Sequence, residues 1–86
     1  MASYSIEFAK SVRKDFKKIP KRDADRIIKR IQKLADNPRP PNSKKLTNDN
    51  ALRMRIGVYR VIYEVQDDVL VILVLKVGPR KDIYRK

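Results

Sequence analysis

Cysteine and histidine are both absent from the 86 residues. Without cysteine there can be no disulfide, thiolate metal site or cysteine nucleophile, and a cytoplasmic protein is expected. Without histidine the usual general base and the commonest metal ligand are also gone. No apolar run approaches the roughly 18 residues of a membrane-spanning helix. The opening MASYSIEFAK lacks the apolar centre of a signal peptide, so a soluble, unprocessed chain is expected. A Ser/His/Asp set, a Gly-rich phosphate loop and a CxxC pair are missing as well. Asp67 and Asp68 read as turn residues rather than metal ligands, and neither metal nor cofactor is expected. No internal repeat is present, and the length fits one domain, residues 1–86.

Negative charge is scarce. Against 10 Asp and Glu stand 22 Lys and Arg, a net charge of +12. Spread along so small a chain, that excess creates a positive field suited to a polyanion, most often nucleic acid, or to an acidic protein partner.

The apolar pattern implies an α+β fold. SYSIEF alternates Tyr4, Ile6 and Phe8 and reads as a short strand that joins a later sheet. From Ala9 to about Ile19, the residues Ala9, Val12, Phe16 and Ile19 follow helical spacing, and Pro20 closes the segment. KRDADRIIKRIQKLAD puts Ala24, Ile27, Ile28, Ile31, Leu34 and Ala35 on one helical face. With only a short break at Pro20, the two helices should form an αα-hairpin packed on a mainly antiparallel sheet. Their outer faces carry many cations, of which Arg22, Arg26, Lys29 and Lys33 are candidates for docking on RNA or the ribosome. NPRPPNSKK, with Lys44 and Lys45 as further docking candidates, reads as an extended connection without structure of its own. Leu46 is a plausible anchor, and Thr47 to Asn50 looks like a turn.

The rest of the chain is strand. LRMRIGVYRVIYEV, a turn at QDD and VLVILVLKVG form two hairpins from three strands, with Gly57 at the first turn and an almost wholly apolar, central Val69–Val77. Period two places Leu52, Met54 and Ile56 on one face of the first strand and Arg53 and Arg55 on the other. Arg60 falls in the set of Val58 and Ile62, so antiparallel pairing can bring Arg53, Arg55 and Arg60 together. Gathering repelling cations does not favour stability. Arginines with tyrosines do suit holding a phosphodiester and neutralising charge that develops on it. RNA carries its own nucleophile in the 2′-hydroxyl, so aligning that group with the adjacent phosphate can cleave the chain without metal or histidine.

The order of strand, two basic helices, Pro-containing link, LRMRIGVYRVIYEV, VLVILVLKVGPR and KDIYRK resembles the RelE/ParE toxin superfamily over nearly the whole chain, and more closely its RelE branch of messenger RNA endonucleases. The resemblance implies a fold like compact microbial ribonucleases and cleavage of messenger RNA in the ribosomal A site. It also implies inhibition by an acidic, RelB-like antitoxin, with operator DNA bound only through the toxin–antitoxin complex. On matching positions, Arg53 and Arg55 would contact the scissile phosphate and help proton transfer, while Arg60 would stabilise the transition-state phosphate. Arg80 would serve the leaving oxygen, and Tyr84 would contact or deprotonate the 2′-hydroxyl. This chain has arginines where the best-known branch has lysines. Because arginine holds its proton to a pH above about 12, Tyr84 would carry more of the proton transfer. Two alternatives stand beside this reading: a ParE-like toxin, which has this fold but binds DNA gyrase without catalysis, and a noncatalytic RNA-binding module. Arg80 and Tyr84 together are typical of the RNA-cleaving branch.

Overall fold

The fold is taken from a computed structural model that describes residues 3–46 and 51–79. Strand β1 spans Ser5–Phe8, helix α1 Lys10–Lys17, helix α2 Lys21–Lys33, and strands β2 to β5 span Ser43–Lys45, Ala51–Ile56, Tyr59–Gln66 and Val71–Pro79. The five strands form one sheet in the order β1-β5-β4-β3-β2. β1 pairs parallel with β5, and every other pair is antiparallel. The expected α+β arrangement of two helices on a mainly antiparallel sheet is what forms.

The helices follow from their apolar spacing. Val12 in α1 and Ile27 and Ile31 in α2 are buried, with Ile19 and Leu34 just beyond the helix ends. Pro20 stands at the start of α2, where its fixed φ of −55° suits the entry and its missing N–H loses no helical bond. Asp23 in the first turn and Arg30 and Lys33 in the last complement the helix dipole.

One face of the sheet packs on these helices. The register sets Leu52 opposite Tyr63, Met54 opposite Val61 and Ile56 opposite Tyr59, and the first five of these residues join the helical stripes in the core, with Tyr59 packed at its margin. A register shift between Ile62 and Tyr63 keeps β5 in phase. Val61 meets Val77 and Tyr63 meets Val74, so Leu75 is the extra residue, and both valines face the core despite being three apart.

The link after α2 departs from the expected unstructured connection. Tyr63, itself fully buried, donates its hydroxyl to the Pro38 carbonyl at 2.8 Å, Asn42 Nδ2 donates to the Arg55 carbonyl at 3.2 Å, and Ser43 Oγ donates to the Pro40 carbonyl at 2.7 Å. These bonds lay the link along β3, where residues 43–45 become the edge strand. Three residues with no apolar alternation gave no sign of this, because the strand exists through its pairing partner. Leu46 is half-buried, and its N–H bonds the Ala51 carbonyl at 3.0 Å. The turn expected at Thr47–Asn50 lies outside the described residues.

Both hairpin turns use left-handed backbone. Gly57, with φ of 61°, does so without steric cost, whereas Leu70, with φ of 55°, costs of the order of 1 kcal/mol. The expected strand start at Val69 is therefore corrected. Val69 and Leu70 belong to the turn, 59% and 38% exposed, and β5 begins at Val71.

Candidate functional site

The face turned away from the helices collects the arginines. Arg55 on β3 stands directly opposite Arg60 on β4, whose other neighbour is Gly78 on β5. Glycine leaves Arg60 without a competing side chain from that strand. The next row runs Lys44, Arg53, Ile62, Lys76 across β2, β3, β4 and β5. Successive rows on one face of a strand lie roughly 6.7 Å apart. Lys44 and Arg55 are exposed, Arg53 is half-buried, and Arg60 has no solvent-accessible surface. Direct contact between Arg60 and a phosphate therefore requires the surface over it to open.

Like charges set directly opposite in a sheet oppose folding, and burying a guanidinium adds a desolvation cost. Arg55 against Arg60 is thus an arrangement that an anion would stabilise. Two to three forked guanidiniums on a flat face can take a phosphate's oxygens in pairs, with geometry a lysine does not reproduce.

The remaining candidates divide by face. Lys44 and Lys45 are neighbours in sequence, but β2 points them apart: Lys44 pairs with Arg53, while Lys45 pairs with Leu52 and lines a hollow with Arg39, Val65 and Asp67. Arg22, Arg26, Lys29 and Lys33 are all exposed on α2. Their spacing of four, three and four puts them on one stripe, away from buried Ile27 and Ile31 and on the opposite layer from the arginine face. Arg26 reaches the β3–β4 turn, with Nη1 3.9 Å from where a β-carbon on Gly57 would sit. Arg80 and Tyr84 lie outside the described residues. Among the described residues no three His, Cys, Asp or Glu side chains group in a way that could hold a metal ion.

A second polar cluster escaped the sequence reading. Asp67 accepts the Tyr4 hydroxyl at 2.6 Å and Arg39 Nη2 at 2.9 Å, tying the residue before β1, the link and the β4–β5 turn together. The hydrogen bonds from Arg39 and then Tyr4 hold the Asp67 carboxyl below the usual carboxylate range, and the bond to Asp67 pushes the Tyr4 hydroxyl up. A lowered carboxyl contributes stability that is full above its unfolded value near 3.9 and is lost as pH falls through the folded one. The raised tyrosine contributes below about pH 10 and loses that contribution as pH rises through its folded value. Asp67→Asn is therefore expected to flatten the acid limb of a stability–pH curve followed by urea unfolding, with little change near neutrality beyond the loss of one exposed ion pair. On the helix side, Asp15 accepts the Val77 N–H at 3.1 Å and lies 3.7 Å from Lys76 Nζ, while Tyr59 donates to Asp23 at 2.8 Å.

Comparison with known proteins places this architecture. Residues 6–84 match the family described as ParE toxin of type II toxin-antitoxin system, parDE. A Methanocaldococcus jannaschii protein named as a RelE1 toxin is 33% identical over 86 residues, covering 95% of this chain and 96% of its own. Toxin RelG of Mycobacterium tuberculosis is 32% identical over 89 residues, covering 96% and 98%. The toxin in the archaeal RelE–RelB complex from Pyrococcus horikoshii superposes with a TM-score of 0.77 at 32% identity, over 91% of this chain and 96% of that one. Isolated RelE of Escherichia coli, at 22% identity and a TM-score of 0.79, over 95% and 92%, shares the fold. The chain belongs to the RelE/ParE toxin superfamily of type II toxin–antitoxin systems. Its relatives of about one-third identity carry RelE and RelG names, whereas the family match carries the ParE name.

Proposed function

We propose that this chain is a ribosome-dependent, metal-independent endoribonuclease that cleaves messenger RNA in the A site, by attack of a 2′-hydroxyl on the adjacent phosphate. The observation that carries the reading is the pairing of Arg55 with Arg60, beside Arg53, on the sheet face the helices leave open. Arg53 and Arg55 hold the scissile phosphate. Arg60 stabilises the added negative charge of the transition state, Arg80 serves the leaving oxygen, and Tyr84 contacts the 2′-hydroxyl. Arg22, Arg26, Lys29 and Lys33, with Lys44 and Lys45, supply attraction for ribosomal RNA and the message.

An acidic, RelB-like antitoxin holds the toxin inactive, and operator DNA is bound only through that complex. The RelE–RelB complexes from Pyrococcus horikoshii and Methanococcus jannaschii, each 32% identical to this chain, support the antitoxin, and the charge of +12 favours an acidic one.

Programmed ribosomes with purified toxin and chelator, followed by mapping of message ends, test the reading. Cuts confined to the A-site codon are expected, with DNA gyrase supercoiling unaffected. The ParE-named family match favours a second reading, inhibition of gyrase by binding. Inhibited supercoiling with intact message would establish it instead, and tight ribosome binding without cut message would mark a noncatalytic RNA-binding module.

The α2 stripe lies across the sheet from the arginines, so docking and chemistry are separable. Neutralising Arg22, Arg26, Lys29 and Lys33 together is expected to weaken ribosome association and to reduce its salt slope, by about 0.7 per lost contact to single strands. The single-turnover rate at saturating ribosomes should survive. Collapse of that saturated rate would place these cations in the chemistry.

A further inference from the structure

Attack by a 2′-hydroxyl requires something to take its proton, and the arginines on this face are unsuited to it, since a guanidinium is not deprotonated in proteins. Besides Glu7 on β1, which lies two strands over in the row of Glu64, the described face offers three other titratable side chains. Glu64 lies four residues along β4 from Arg60, roughly 13 Å at strand rise, and accepts a hydrogen bond from Gln66 Nε2 at 2.9 Å. Lys76 is drawn to Asp15 across the end of β5, at 3.7 Å. Lys44 is the third. It stands directly opposite Arg53, one row from the Arg55–Arg60 pair, and it is exposed.

Its backbone is fixed and its side chain is exposed. Ser43 bonds the Pro40 carbonyl through both Oγ, at 2.7 Å, and N–H, at 2.9 Å, and Asn42 bonds the Arg55 carbonyl, so the edge strand is held in register with the arginine strand. A flexible four-carbon stem can span the roughly 6.7 Å between rows and set an amine beside a phosphate held by Arg53 and Arg55. Lysine, unlike arginine, can act as a general base.

We propose that Lys44 is the catalytic residue that accepts the 2′-hydroxyl proton, an inference that rests on the ribonuclease reading above. The neutral Nζ takes the proton as the 2′-oxygen lone pair forms the bond to phosphorus. The bond from phosphorus to the 5′-oxygen breaks, and that oxygen takes a proton from water. The resulting hydroxide recovers a proton from the Lys44 ammonium, leaving a 2′,3′-cyclic phosphate and a 5′-hydroxyl with no net proton consumed. The same side chain thus ceases to be only a docking cation.

The test compares wild type, Lys44→Arg and Lys44→Ala on programmed ribosomes, measuring single-turnover cleavage at saturation across pH, with thermal unfolding as the control for folding. Lys44→Arg preserves charge and so isolates the proton transfer. Both variants are expected to lose 10² to 10⁴ in rate, the usual contribution of a positioned acid or base. Both should also lose the wild type's rise in rate with pH, while Lys44→Arg keeps its ribosome affinity. A Lys44→Arg enzyme with wild-type rate and pH profile overturns the proposal and leaves Lys44 as a phosphate-attracting cation. A wild-type protein that cuts no message overturns the ribonuclease reading along with it, so the two failures are told apart by the wild-type lane.

Discussion

Arg60→Lys is expected to lower the saturated, single-turnover cleavage rate by about 10² to 10³, equivalent to about 2.7 to 4 kcal/mol of transition-state stabilisation. Ribosome affinity should change far less, because a charge that tightens on the phosphate only in the transition state acts on the rate. Lysine is the informative replacement because Arg60 is fully buried. Arg60→Ala would remove a large buried side chain and mix a loss of stability with the loss of chemistry. Lysine keeps a cation and a stem of similar length, while the forked donors disappear. The facing residue supplies a complementary result. Arg55 repels Arg60 across the β3–β4 ladder, so Arg55→Gln is expected to raise stability by up to about 1 kcal/mol while slowing cleavage. A substitution that improves folding and harms turnover would identify the pair as kept for its chemistry. Urea unfolding and single-turnover assays on the same preparation give both numbers.

Ile31→Ala is expected, with Ile27→Ala, to produce the largest losses of stability of any single truncations in α2. Ile31 and Ile27 have no accessible surface and lie in the core between the helices and the sheet. Truncating such a residue costs about 2 to 5 kcal/mol, through lost transfer free energy and the cavity left behind. Against a total stability of about 5 to 15 kcal/mol for a domain of this kind, that is a large share. At about 4 to 8 °C per kcal/mol for a small domain, the thermal midpoint should fall by roughly 8 to 40 °C. Ile28, half-buried on the flank of the same stripe, should tolerate alanine better. Equal losses at Ile28 and Ile31 would mean that the stripe is not oriented as described.

The three long strands and both helices were legible because their alternation reports burial directly. Met54 against Val61 and Arg55 against Arg60 follow from period two once β3 and β4 pair across Gly57. The edge strand β2 was not legible. Ser43, Lys44 and Lys45 contain nothing apolar, and their structure comes from hydrogen bonds to β3 and from a link fastened by Tyr63. With β2 hidden, the opposite facing of Lys44 and Lys45 was hidden too. The burial of Arg60 was equally invisible, since alternation assigns a residue to a face without saying how deeply that face is covered. Tyr4 and Asp67 meet across 63 residues of chain, a distance at which local pattern carries no information. Arg80 and Tyr84 rest on their place in a motif.

The central claim is that the arginine face works by directing RNA's own 2′-hydroxyl onto the neighbouring phosphate. It is tested most directly with a message that carries a single 2′-deoxynucleotide on the 5′ side of the mapped cut, placed in the A site of programmed ribosomes. Cleavage at that bond should vanish while ribosome binding is unchanged, and the all-ribose message should yield a 2′,3′-cyclic phosphate and a 5′-hydroxyl in the presence of chelator. Undiminished cleavage at the deoxy position would contradict the account, because water or another external nucleophile would then be attacking the phosphate.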